Sequence, residues 1–230
     1  SGFTMEGYPH RAIFSMPFQG LTDKGIPTYL NEKGELTSTD LDFQNRNSNG
    51  YLVYEGPTEP TITGSLGNEI KWKNWRLNVF LTYSFGSYVR LDRIFSAQYN
   101  DLTSMTKEFK NRWMQAGNEK TTSVPTILPY RSYASDRNLR IAYNAYNYTS
   151  NRTAKGDFVR MKEISLGYDF PKAMLRSTPF TNLSLKLQAT NLFLIYADKK
   201  LNGQDPEFVN AGGVAAPVPR QFTMTLKFGL

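Results

Sequence analysis

The chain has 230 residues, no cysteine and a mean hydropathy of −0.49. Disulfides, thiolate metal sites and cysteine nucleophiles are therefore excluded, and no stretch approaches the roughly 20 apolar residues of a membrane-spanning helix. The 27 lysines and arginines outnumber the 20 acidic residues, giving +7, but they are scattered, without the basic patch or helix of a nucleic-acid binder. A membrane β-barrel passes these filters, because half of each strand is polar. The 14 Tyr, 15 Phe and 3 Trp suit places with one apolar and one wet side.

The first residues, Ser1-Gly2-Phe3-Thr4, carry no initiator Met and no basic or apolar leader, so the expectation is a piece of a longer chain. Six segments read as strands. Residues 11–18 form the weakest, interrupted by Pro17. Residues 61–72 alternate, with Ile62, Leu66, Ile70 and Trp72 on one side and Thr63, Glu69 and Lys71 on the other. Residues 75–89 show the clearest period of two, with Trp75, Leu77, Val79, Leu81 and Tyr83 set against Arg76, Asn78, Thr82 and Ser84. Residues 158–170 and 183–193 follow the same rule. The last nine residues, from Phe222, alternate through Met224, Leu226 and Phe228 to Leu230. Ending on such a strand would leave a soluble domain with an open edge, whereas a closed barrel has none.

Several segments exceed the roughly 5–6 residues usual for soluble strands and match the roughly 9–11 that cross a bilayer. Their connections alternate in length. Lys73-Asn74 makes a tight hairpin turn and 171–181 a short link, while 19–59, 91–157 and 194–219 are long. Outer-membrane barrels pair short periplasmic turns with long extracellular loops in this way. The predicted fold is therefore all-β: antiparallel strands of a large transmembrane barrel, an incomplete section of about six strands, in one portion covering 1–230. Inside the second long loop Leu102, Met105, Phe109 and Trp113 have helical spacing, and Gly117-Asn118 stops the helix. That face either packs on the loop's own floor or docks a partner outside the cell.

Candidate sites are few. His10 has no organised nucleophile or acid beside it. Asp205 and Glu207, separated by Pro206, either shape a turn or, with Asn202, bind calcium. They lie too close in sequence for the facing carboxyls of a glycosidase. The run Tyr143-Asn144-Ala145-Tyr146-Asn147-Tyr148 combines flat rings with amide donors and acceptors. Tyr143, Tyr146 and Tyr148 are the candidate cargo contacts, set along a strand-like loop, the alternative being that they pack the loop or join an aromatic girdle. No catalytic residue, metal or cofactor is expected.

Several stretches, taken in order, resemble the C-terminal part of the SusC/RagA family of TonB-linked outer-membrane transporters of Bacteroidetes. They are Glu6-Gly7-Tyr8-Pro9, the run from Leu52 to Pro60, Lys107-Glu108-Phe109-Lys110-Asn111-Arg112-Trp113, the run from Phe158 to Tyr168, Leu185-Lys186-Leu187-Gln188-Ala189-Thr190-Asn191-Leu192, and Asn202-Gly203-Gln204-Asp205-Pro206-Glu207. The resemblance implies a barrel of about 22 strands with an N-terminal plug, of which the plug and early strands are missing here. It also implies the remaining portion of the same barrel, outer-membrane lipid, a SusD-like surface lipoprotein and the TonB energy-coupling complex as partners, with a glycan or peptide oligomer as cargo. The C-terminus would be periplasmic and the long loops extracellular. The competing reading is a soluble or surface-attached β-sandwich carbohydrate-binding module using the same tyrosines.

Overall fold

The computed structural model describes residues 4–41, 49–96, 105–209 and 218–230. In chain order the strands begin with β1 (Ala12–Ser15), β2 (Phe18–Leu21), β3 (Pro27–Leu30), β4 (Leu36–Thr37) and β5 (Val53–Pro57). Next come β6 (Ile62–Trp72), β7 (Trp75–Phe85) and β8 (Tyr88–Arg90), then helices α1 (Tyr130–Ser135) and α2 (Arg137–Tyr146). The remainder is β9 (Thr153–Lys155), β10 (Phe158–Asp169), α3 (Lys172–Leu175), β11 (Asn182–Ala197) and β12 (Gln221–Gly229). These form two compact units. One comprises Ser1–Glu59, Tyr88–Lys155 and Lys200–Asn202; the other comprises Pro60–Ser87, Gly156–Lys199 and Gly203–Leu230.

The second unit is a five-stranded antiparallel sheet in the order β12-β11-β10-β7-β6. Its strands are 9 to 16 residues long, enough to cross a bilayer. Register converts the period of two in each strand into rows across the sheet. Ile70, Leu77, Leu166, Leu187 and Met224 are successive partners along one row. One position away, Glu69, Asn78, Ser165, Gln188 and Thr223 form a wet row on the opposite face. Ile62, Leu66, Ile70, Phe222, Met224 and Phe228 each leave more than half of their surface exposed. On the central strands, Leu166 and Leu187 are still 40% and 48% exposed.

Aromatic residues mark both rims of the apolar face. Beside the short turns, Trp75 and Tyr168 lie 4.5 Å apart and Phe180 and Phe228 5.4 Å apart. At the other rim, Tyr83 stacks on Phe85 at 5.7 Å. The turn Lys73-Asn74 is closed by Lys73 at φ +53° and by Asn74 Nδ2 donating to Asp169 O at 2.7 Å.

The sheet departs from expectation in three places. The 75–89 segment breaks at Gly86 (φ +86°), a conformation glycine adopts without steric cost; Tyr88–Arg90 becomes a separate strand paired with β9. β11 runs on to Ala197 through a bulge, with Asn191 at φ +53° where the pairing with β10 shifts between Met161 and Glu163. Asparagine tolerates that left-handed geometry better than most side chains. The expected strand at 11–18 is split by Pro17, and its halves pair with β5 and β3 rather than joining the large sheet. Among the described residues, five strands rather than six therefore make the wall.

The first unit is built from short strands and α2. Asp136 caps α2, its side chain accepting from Asn138 N and Leu139 N, which satisfies two of the orphan donors of a helix start. Ala142, Tyr143, Ala145 and Tyr146 then fall on its buried face. Met16, Tyr29, Leu41, Ala142 and Ala145 form one core cluster, and Ile94, Val124 and Tyr146 another. Tyr29 closes the first by donating from its hydroxyl to Ala142 O at 2.6 Å. The predicted helix over 101–113 is absent as such. Residues 101–104, with Leu102, lie outside the described residues, and the rest of the segment forms one 3-10 turn at Lys107–Asn111. α1 and α2 carry the helical content in its place; the alternating Tyr-Asn pattern of α2 had masked its 3.6-residue period.

Candidate functional site

The segment 105–124 folds back on itself through side chains that cap its own backbone. Gly117 turns at φ +98°, Asn118 Oδ1 accepts from Met114 N at 3.2 Å and Gln115 N at 3.1 Å, and Glu119 Oε2 accepts from Gly117 N at 2.8 Å. Trp113 donates its indole N–H to the same carboxylate at 3.1 Å. Its ring lies so close over Gly25 that a Cβ there would sit 2.6 Å away. This loop, the end of α2 and Lys200 enclose a cleft of about 590 Å³.

The cleft is polar. Arg112, Arg152 and Lys200 line it together with one carboxylate, Glu108. Asn111, Asn118 and Asn151 add amides, and Thr121, Thr122 and Ser123 add hydroxyls. Arg152 is only 3% exposed. It pairs with Glu108 and donates from Nη2 to Asp92 O at 2.5 Å. Among the described residues its Nε has no hydrogen-bond partner. Glu108 also accepts from Asn202 Nδ2 at 3.3 Å, and Lys200 donates to Thr153 O at 3.2 Å. Tyr146 lies on the cleft floor, 1% exposed. Burial pushes its hydroxyl up to about 12, against the opposing pull of Arg152.

The three candidate tyrosines separate. Because α2 extends through Tyr146, they do not line an extended segment, and that expectation is corrected. Tyr143, 1% exposed, donates to Thr126 O at 3.0 Å and meets Phe95 at 4.9 Å. Tyr146 packs against Phe18 at 5.6 Å. Tyr148 alone of the three is exposed, at 46%; Arg93 donates to its hydroxyl at 3.2 Å and the Arg90 guanidinium lies 5.9 Å from its ring centre.

The acidic pair near 205 has a partner. Arg160 Nη2 donates to both Asp205 oxygens at 2.5 Å and lies 3.4 Å from Glu207, while Glu207 N donates back to Asp205 Oδ1 at 3.1 Å. The turn-shaping reading therefore accounts for both acids, and Asn202 is engaged with Glu108. Among the described residues no group of three potential metal ligands forms. His10 is exposed. Glu108 and Arg152 escaped the sequence reading because nothing local pairs residues 44 positions apart.

No protein-family profile matches the chain. TonB-dependent receptor P3 of Formosa agariphila is 26% identical over 204 residues, covering 87% of this chain and 18% of the receptor. TonB-dependent receptor P39 of the same organism is 25% identical over 194 residues, covering 79% and 17%. The chain thus spans less than a fifth of these curated relatives. Among solved structures, the RagAB peptide transporter matches at TM-score 0.67 and 20% identity, over 96% of this chain and 23% of the other. The RagAB peptide importer in its open-open state matches at TM-score 0.65 and 19% identity, over 97% and 23%. At these identities the likeness is one of fold.

Proposed function

We propose that this chain, which belongs to the SusC/RagA family of TonB-dependent transporters, supplies a five-stranded wall of an outer-membrane import barrel together with part of its cargo-collecting surface. The observation that carries this reading is an apolar row that runs through register across all five strands, exposed on β6, β10, β11 and β12 and half-buried on β7. Water penalises such a face, whereas hydrocarbon favours it. Its opposite side is a groove of about 370 Å³ lined by Glu69, Arg76, Asn78, Ser165, Lys186 and Lys227, which suits a wet lumen. β6 and β12 are the edges of the sheet; in lipid, unpaired backbone groups there require further strands of the same barrel. The alternative, a soluble sandwich, would need a second sheet over the apolar face, yet Ile70, Leu166, Leu187 and Met224 there remain exposed.

In this reading the whole protein imports glycan or peptide oligomers. A SusD-like lipoprotein is its lid and TonB its energy source, and no chemistry is done on the cargo. RagAB, whose fold the chain shares, is a peptide importer, which supports import as the activity. The short turns face the periplasm and the long connections leave from the outward rim. Tyr148 is the tyrosine placed to touch cargo, with Tyr143 and Tyr146 packing beneath the surface. The intact protein is expected in the detergent-extracted outer-membrane fraction. Cysteines at Lys110 and Asn74 should label oppositely on whole cells with an impermeant reagent, the first reacting and the second not. Recovery in the aqueous fraction would return the sandwich reading, and release of cleaved cargo by pure protein would overturn the non-enzyme assignment.

A further inference from the structure

Resting on that reading, we infer that the cleft beside Arg152 is a carboxylate subsite that takes the C-terminal end of an oligopeptide cargo. Three features of the cleft converge on this ligand. Its charges sum to an excess of two cations, from Arg112, Arg152 and Lys200 against Glu108, so an anionic group is favoured over a neutral one. Arg152 is held in place by Glu108 and Asp92 O while its Nε–H, nearly enclosed, still lacks an acceptor among the described residues. A buried donor without a partner costs free energy until something accepts from it, and a carboxylate oxygen accepts well from a guanidinium. Around these charges stand amides rather than rings. Asn111 and Asn151 offer both donors and acceptors, the complement of a peptide backbone.

A sugar is the weaker fit. The one aromatic lining residue is Tyr146, 1% exposed and packed on Phe18, so no open ring face is available for a pyranose to stack on. The remaining pull on the ligand is directional hydrogen bonding plus charge, which a carboxylate end satisfies with two oxygens. The Arg152–Glu108 pair has a second consequence. It fixes the guanidinium plane before ligand arrives, so little ordering remains at the moment of binding.

The test is equilibrium binding to the full-length transporter purified in detergent, by calorimetry. The probes are N-acetyl-tetraalanine with a free C-terminal carboxylate, the same peptide as its amide, and a uronate trisaccharide. The free acid should bind about tenfold tighter than the amide. Arg112→Gln should bring the two within about twofold of each other without changing the amount of transporter at the cell surface. If that variant fails to assemble, ionic strength on the unaltered protein decides: the acid-over-amide ratio should shrink from low to high salt, as screening weakens a charge contact. Equal affinity for acid and amide would overturn the subsite, as would binding of the uronate in preference to the peptide acid. Import of the amidated peptide at an ordinary rate in the same cells would show that the subsite alone, not the import reading, had failed.

Discussion

The two units solve burial in opposite ways. In the sheet unit the large apolar side chains on the strands are exposed or half-buried, while Arg160 and Ser165 are among the buried residues. In the loop-built unit Met16, Tyr29, Val89 and Tyr146 are buried, in the order water imposes. In the proposed barrel the same chain meets two solvents: hydrocarbon along one face of the sheet, water around the loops. Each unit also buries one paired guanidinium, but toward different ends. Arg160 closes on Asp205 and Glu207 and pins a connection to its strand. Arg152 closes on Glu108 at the wall of a cleft; both guanidiniums leave their Nε–H without a partner among the described residues.

Substitutions that treat the two solvents as one should expose the contrast. The largest effect is expected from Asp205→Ala, which leaves Arg160, only 6% exposed at its side chain, with Glu207 alone. Losing one partner of a buried pair costs about 3–5 kcal/mol, read as a lower thermal midpoint of the purified transporter. Val79→Arg comes next. Val79 sits midway between Trp75 and Tyr83 on the apolar face, so a charge there should cost about 2–4 kcal/mol and impair heat-resistant assembly. Asn78→Arg, one residue away on the wet face beside Glu163, should be tolerated. Equal tolerance at both positions would mean the apolar face does not meet lipid.

Alkali should separate the units by a different property. Burial raises the hydroxyls of Tyr29 and Tyr146, the latter to about 12. Above pH 10 the unfolded chain releases these protons before the folded one does. Stability is therefore full below pH 10 and falls as pH rises toward 12. Ultraviolet titration should find these tyrosines silent until the loop-built unit opens. The smallest effect is Tyr148→Ala. It should leave stability within about 0.5 kcal/mol and reduce cargo affinity by on the order of 1 kcal/mol. Unchanged affinity at normal surface expression would assign Tyr148 to its contacts with Arg93 and Arg90 alone.

The sheet was legible in the sequence because its information is local. A period of two and a two-residue turn at Lys73-Asn74 suffice to place β6, β7, β10, β11 and β12 within a few residues, while the break at Gly86 and the bulge at Asn191 leave no such trace. The loop-built unit was much less so. Met16 accepts its place through a backbone bond from its N–H to Tyr148 O, and Tyr29 through a hydroxyl bond to a carbonyl 113 residues away. Such pairings leave no periodic trace. Helical apolar spacing is obvious around Phe109, where only a 3-10 turn forms, whereas α2 presents alanines and tyrosines to its core. The cleft was hidden for the same reason. Only folding brings Glu108 to Arg152, 44 positions away.

The two aromatic rims also make the sheet a gauge of its surroundings. From Trp75 to Tyr83 is eight residues, about 27 Å along a strand at about 3.4 Å per residue, or about 21 Å of vertical height at a tilt of about 40°. That is a shorter apolar span than the roughly 30 Å interior of an average bilayer, and outer membranes are thinner than average. Hydrophobic mismatch then acts on the wall as a sorting force: thick, sterol-like bilayers must thin around it, and short-chain lipids fit it without deformation. In the proposed barrel, the spacing of these rings sets which bilayer suits the wall.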